Sequence, residues 1–249
     1  MTQRRVLVTG GAKRLGAAIV RAVAASGHRP VIHFGTSRAE AEALASETGG
    51  AVVQGNLADS AALPAMLARA AEVAGGVIDG LVNSASAFSW DRPGAIDPAL
   101  ALRLHAVNAV APAILAEALA AQPGLEEGAV VNLLDQKLAN PNPDFFSYTL
   151  TKYALEGATT MLAQALAPRV RVNAVAPGLT LPSGDQSEAE FARVASANLL
   201  RRPVGAGEVA RAVVWLLDAP SVTGQTLFVD CGQRFISRDS DVMFEGRDG

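Results

Sequence analysis

The sequence predicts an α/β fold, a doubly wound parallel seven-stranded sheet with helices on both faces, from the way apolar residues are spaced. Short β-branched runs alternate with longer stretches of helical period along the chain. Half of the residues are hydrophobic and 18% are charged, enough apolar surface to fill a core between two helical layers. No compositional break or internal repeat divides the 249 residues, so one domain is expected over residues 1–236, with a polar, charged tail at 237–249.

Taken in order, strands are expected at Arg5–Thr9, Pro30–Phe34, Ala51–Gln54, Gly80–Asn83, Ala129–Leu134, Val170–Val175 and Gln225–Val229. Helical periodicity falls between them, at Leu15–Ala25, Ser37–Glu47, Ser60–Ala74, Pro98–Ala120, Tyr148–Leu166 and Gly207–Leu217. Thr180–Ser187 is polar and holds Pro182 and Gly184, which suits a flap, and a short helix is expected over Glu188–Asn198. The tail is expected to fray unless a neighbouring subunit holds it.

Charge and composition narrow the partners to small molecules. A net charge of −3 with scattered Lys and Arg gives no nucleic-acid or anionic-membrane footprint. The single cysteine, Cys231, has no disulfide partner, and His28, His33 and His105 lack zinc spacing, so no metal is expected and a reducing cytoplasm is the expected compartment. With Met1-Thr2-Gln3-Arg4-Arg5 running straight into Val6-Leu7-Val8, no signal-peptide core is expected. No uninterrupted apolar run reaches the roughly 20 residues of a membrane span.

Residues 6–16, Val-Leu-Val-Thr-Gly-Gly-Ala-Lys-Arg-Leu-Gly, are a strand, a glycine turn and a helix start in succession. Small residues there let backbone approach a pyrophosphate, and the helix N-terminus offers N–H donors and positive dipole, the logic of a Rossmann fold. Thr9-Gly10 with Gly16 resembles the Thr-Gly-x-x-x-Gly-x-Gly fingerprint of the short-chain dehydrogenase/reductase family. Arg14 stands where that family's middle glycine lies, and Ala12 to Gly16 resembles its pteridine reductase and dihydromonapterin reductase branch. Read alone, Arg14 is a solvated cation facing an unfavourable helix dipole, a cost that points to an anionic or substrate partner. Enzymes that prefer NAD place an acid about 20 residues after the glycines. Here the second strand ends His33-Phe34-Gly35-Thr36-Ser37-Arg38, with no carboxylate to repel a 2′-phosphate, so NADPH is the expected cofactor. Ser37 can equally cap the next helix.

Tyr148 and Lys152 are four residues apart, on one helical face. A phenol with a pKa of about 10 is a poor acid or base at neutral pH unless a cation stabilises its anion. The resemblance implies that Tyr148 transfers the proton, that Lys152 binds the nicotinamide ribose, and that Asn108 carries a water-linked relay. It also places Leu15, Asn56, Leu57, Asn83, Ala85 and Ser86, with Pro177, Gly178 and Leu179 of a closing turn, around the cofactor, besides Gly10, Arg14, His33, Thr36 and Ser37. A serine commonly ends the fifth strand in this family; here it is Asp135, 13 positions before Tyr148. An ionised carboxylate only accepts hydrogen bonds, so it suits a substrate with N–H donors over a carbonyl oxygen. Asp135, Tyr148 and Lys152 together resemble the pteridine reductases, in which Phe88 would stack on the pterin and Arg14 and Ser86 would also contact it. Phe88 alone would equally fit a core position.

The expected activity is therefore NADPH-dependent reduction of a dihydropterin or related pteridine or folate. A reductase of ketones or 3-oxoacyl substrates is the alternative, and a non-catalytic cofactor-binding sensor or scaffold stands in another class. The resemblance further implies a homotetramer, pairing Leu100–Ala120 and Tyr148–Leu166 across a two-fold axis.

Overall fold

In the computed structural model, which describes residues 3–182, 187–241 and 244, seven parallel strands lie in the order β3-β2-β1-β4-β5-β6-β7. They are β1 (Arg5–Thr9), β2 (Arg29–Phe34), β3 (Ala51–Gln54), β4 (Gly80–Asn83), β5 (Gly128–Leu133), β6 (Val170–Pro177) and β7 (Thr226–Val229). The helices are α1 (Arg14–Ala25), α2 (Arg38–Thr48), α3 (Leu63–Ala74), α4 (Pro98–His105), α5 (Ala111–Ala120), α6 (Phe146–Leu166), α7 (Glu188–Ala195) and α8 (Ala206–Asp218). Both faces of the sheet are covered, which is why its strands read as continuous apolar runs. On β1, Val6 and Val8 pack with α1 and α8, while Leu7 points to the α3 and α5 side. Each such fully buried side chain contributes about 1.5–3 kcal/mol.

Two details depart from expectation. The helix expected over Pro98–Ala120 is broken by a π turn at Ala106–Val110, with Asn108 in its middle. Pro112, which has no N–H and whose ring would collide with the Asn108 carbonyl in a regular helix, accounts for the widening. The same 23 residues hold an 18-residue window with a mean hydropathy of 1.5, long and apolar enough by length and composition to cross a membrane. Arg103, His105 and Glu117 interrupt that run, and Leu104, Leu115 and Leu119 are fully buried in the core.

The order in which successive strands are added reverses between β1 and β4, so a crevice opens at the C-terminal ends of the strands, where the first loop and the segments after β4, β5 and β6 meet. Ser237–Asp241 and Phe244 fold back over that end by contacts within the chain, whereas their polar composition suggested a frayed end. Of the flap, Ser183–Gln186 lies outside the described residues, and α7 ends at Ala195.

Candidate active site

The turn after β1 is shaped by steric need. Gly10 has φ +62°, and a Cβ there would sit 2.9 Å from Ala85 Cα; a Cβ on Gly16 would sit 2.2 Å from the Gly10 carbonyl oxygen. Arg14, in the place of a glycine of the resembled pattern, has φ +54°. Only the backbone conformation has been kept there, at a cost that an arginine bears where glycine would not. Its guanidinium donates to the Pro182 carbonyl at 2.5 Å. The α1 N-terminus has no side-chain cap, and its N-cap residue is Lys13, so its first N–H groups form a cradle suited to a phosphate.

His33 lines the same cavity as Thr36, Asn56 and Leu57 and braces the loop after β1. Its ring is buried, Nδ1 accepts from the Gly10 N–H at 3.1 Å, and Nε2 donates to the Gly55 carbonyl at 3.3 Å. Burial pushes its pKa down to about 4, so it is a neutral brace for the loop. Thr9 is a second brace: its hydroxyl accepts the N–H groups of Ser84 and Ala85 at 3.0 and 3.1 Å. Thr36, Asn56, Leu57, Ala85 and Ser86 line one cavity beside His33. Ser37 is the residue before α2, yet its hydroxyl makes no cap hydrogen bond. Arg38 lies over the Phe34 ring and binds Glu42 and Gln54.

A second cleft of about 400 Å³ gathers Arg14, Leu15, Ser86, Phe88, Asp135 and Tyr148, with Pro177, Gly178 and Leu179 at its edge. Asp135 follows β5 and opens a 3-10 turn at Gln136–Ala139, where its Oδ1 accepts the Lys137 N–H at 2.9 Å. The Tyr148 hydroxyl donates to Asp135 Oδ2, also at 2.9 Å. Lys152 lies one turn further along α6, its ammonium donating to the Leu133 carbonyl at 2.8 Å and 5.5 Å from the Tyr148 ring centre. Burial raises the Asp135 carboxyl above its usual range against the pull of its hydrogen bonds. Burial and the neighbouring Asp135 charge hold the Tyr148 phenol well above 10, while burial lowers Lys152 to about 8.

Two expected site residues have side chains turned away from both cavities. Asn83 donates to Asn132 Oδ1 at 2.8 Å inside the sheet. Asn108 binds both backbone groups of Ala87 at 2.7 and 2.8 Å and donates to Thr151 at 3.1 Å, so its side chain holds the loop after β4 against α6.

The cleft also contains residues the sequence reading passed over. Phe88 is 45% exposed, stacked on Phe145 at 4.2 Å and edge-on to Tyr148 at 4.7 Å, so the aromatic wall is a pair. Phe145 follows an Asn-Pro-Asn-Pro stretch, and an aromatic in such a polar loop just ahead of Tyr148 was the available signal. Buried Asp91 accepts from the N–H and hydroxyl of Ser147, fixing the first turn of α6 beneath Tyr148. Lys137, Arg238 and Asp241 complete the wall, and no motif announced them.

Similar proteins share this layout along nearly the whole chain. A family model described as Enoyl-(Acyl carrier protein) reductase matches residues 10–234. A crystal structure of FolM alternative dihydrofolate reductase 1 from Brucella canis complexed with NADP superposes with a TM-score of 0.90, at 43% identity over 96% of each chain. Pteridine reductase 1 of Leishmania tarentolae is 30% identical over 91% of this chain and 94% of its own. Granaticin polyketide synthase putative ketoacyl reductase 2 of Streptomyces violaceoruber is also 30% identical, over 92% and 96%.

Proposed function

The chain belongs to the short-chain dehydrogenase/reductase family, and from that premise we propose that it is an NADPH-dependent reductase of a dihydropterin or related pteridine. Identity to relatives leans the same way, since the FolM alternative dihydrofolate reductase 1 of Brucella canis stands at 43% and the ketoacyl reductase at 30%. The observation that carries the choice is the Tyr148 hydroxyl donating to Asp135 at 2.9 Å in a buried cleft.

The uncapped α1 N-terminus and the close-packed glycines Gly10 and Gly16 fit a dinucleotide pyrophosphate. Thr36, Ser37, Asn56 and Leu57 would hold the adenosine end, and Lys152 with the Pro177–Leu179 turn the nicotinamide ribose. When bound, NADPH supplies the hydride. Asp135 next to Tyr148 disfavours phenolate, so the pair retains its proton at neutral pH and is built to deliver one. A ring nitrogen that becomes basic as its C=N bond is reduced takes the Tyr148 proton. The ammonium of Lys152 stabilises the phenolate left behind, and substrate N–H groups bound to Asp135 neutralise the charge that opposed it. Phe88 and Phe145 offer flat faces to a heteroaromatic ring, and Arg14 and Ser86 lie at its edge. Asn108 positions the loop carrying Ser86 and Ala87, and its relay role rests on the family resemblance.

Leu102, Val110, Leu150 and Met161, exposed large apolar side chains carried by the Pro98–Ala120 and Phe146–Leu166 segments, support the homotetramer we propose, since association would cover them. We also place the protein in the cytoplasm, on the strength of its single cysteine.

The test is NADPH oxidation with a 7,8-dihydropterin beside simple ketones. Asp135→Ser should lower dihydropterin kcat/KM by about 100-fold and leave NADPH affinity within about two-fold. A parent enzyme that never reduces a dihydropterin, with an Asp135→Ser variant that gains ketone activity, would overturn the pteridine reading.

A further inference from the structure

The wall opposite the glycine turn is made by the far end of the chain. Lys137 is 4% exposed; its ammonium donates to the Asp144 carbonyl at 2.6 Å and to Asp241 Oδ2 at 3.0 Å, and lies 5.4 Å from the Phe145 ring centre. The Asp241 N–H donates to Asp144 Oδ2 at 3.0 Å. Asn140 donates to the Ile236 carbonyl on the same rim. On the other rim, after α7, the Arg238 guanidinium donates to the Ala197 carbonyl at 2.9 Å. Phe244 stacks on Phe145 at 6.1 Å and meets Trp90 edge-on at 6.4 Å. The segment is thus tied to both rims and places Arg238 and Asp241 in the cleft lining.

We propose that Ser237–Asp241 is the outer wall of this chain's own substrate cleft and that Asp241, latched on Lys137, is a positioning residue governing both substrate affinity and proton delivery by Asp135 and Tyr148. A buried ammonium needs a counter-charge, so the latch is held by electrostatics that water screens only in part, since the Asp241 side chain is 15% exposed. The same carboxylate faces the catalytic pair. Its charge adds to the proton affinity of Asp135 and Tyr148, against the Lys152 cation beside Asp135, with Lys137 and Asp144 bonded to the strap and Arg14 and Arg238 in the cleft lining. A strap with a purely mechanical role would hold substrate without touching that proton affinity.

The choice of substrate rests on the pteridine reading, so the experiment pairs a kinetic measurement with one that needs no substrate. In NADPH-bound enzyme, Asp241→Asn should raise KM for a 7,8-dihydropterin about ten-fold, with NADPH affinity within about two-fold. The alkaline limb of its kcat/KM profile should move to lower pH by about half a unit or more, because a negative charge beside the proton-holding pair has gone. Asp241→Glu should restore most of both. With two tryptophans in the chain, a Trp215→Phe background leaves Trp90 to report strap docking, and Asp241→Asn should change its emission. Unchanged KM, pH limb and Trp90 emission would overturn the proposal, and a raised KM with an unmoved pH limb would overturn the positioning role. Should the parent reduce no dihydropterin, the pteridine reading fails alone. Trp90 emission and the pH limb on any accepted carbonyl substrate then decide the strap.

Discussion

Two buried polar knots sit at the C-terminal end of the sheet, one under the glycine turn and one at the end of β5, and they use burial in opposite ways. Under the turn, His33 is neutral, and both ring nitrogens are engaged by backbone of neighbouring strands' loops. Beyond β5, Asp135, Tyr148 and Lys152 are three ionisable groups buried together, with proton affinities pushed up, up and down. The first knot gives the cofactor loop its shape. The second stores unequal proton affinities that a substrate can tip. Burial of a satisfied neutral group rigidifies, whereas burial of several imperfectly compensated charges makes a site reactive.

The hardest way to break that contrast is to remove groups from the reactive knot. Tyr148→Phe keeps the ring and deletes the transferable proton, so kcat should fall about 1000-fold with NADPH affinity nearly unchanged. Lys152→Ala should lower kcat/KM about 100-fold and also weaken NADPH about ten-fold, because the ammonium serves phenolate and cofactor alike. Stopped-flow turnover and fluorescence titration of NADPH read the two effects separately. If Tyr148→Phe lost cofactor affinity and kept turnover, the division of roles would be wrong.

A smaller effect is expected from the shape-giving side. Gly16→Ala would bring a Cβ to 2.2 Å from the Gly10 carbonyl, and backbone has no rotamer by which to escape. The loop must move, at about 1–3 kcal/mol, and NADPH affinity should fall about ten-fold. Thermal melting and NADPH titration measure both. In contrast to Tyr148→Phe, kcat at saturating NADPH should change little.

The two knots also differ in how far the sequence disclosed them. The turn was legible because its requirement is local: a strand, a residue that must adopt positive φ, and a helix start occupy adjacent positions, and Arg14 kept the position and the backbone angle after losing the glycine. Strands buried on both faces were legible for the same reason, in their apolar runs. Asp135, Tyr148 and Lys152 were found because 13 and 4 residues of spacing bridge one strand end and one helix. The rest of the reactive side is assembled across the chain. Asp91 meets Ser147 from 56 residues away and Asp241 meets Lys137 from 104 residues away, long-range contacts that impose no period on the sequence. The π turn at Asn108 was hidden because Pro112 signals a disturbance without stating its form.

The finest test concerns His33, where the contrast becomes a matter of pH. Its folded pKa of about 4 lies below the unfolded value near 6.5. Between those limits the unfolded chain binds the extra proton and the folded chain refuses it. Stability from this residue is therefore complete above about pH 6.5 and is lost as pH falls toward 4. At pH 5 the loss amounts to about 2 kcal/mol. His33→Gln does not titrate, so the fall in urea-unfolding free energy from pH 7 to pH 5 should be about 2 kcal/mol smaller in the variant than in the parent. His28, His105 and the carboxylates are common to both proteins and cancel in that difference. NADPH affinity should follow a later curve, because the folded ring takes its proton only near pH 4: a proton on Nδ1 would then set two donors face to face at Gly10 and loosen the turn, so affinity should weaken in the parent as pH falls toward 4 and stay flatter in His33→Gln. Equal losses of stability in the two proteins would mean that the ring is charged or hydrated in the fold, and the shape-giving knot would then belong with the reactive one.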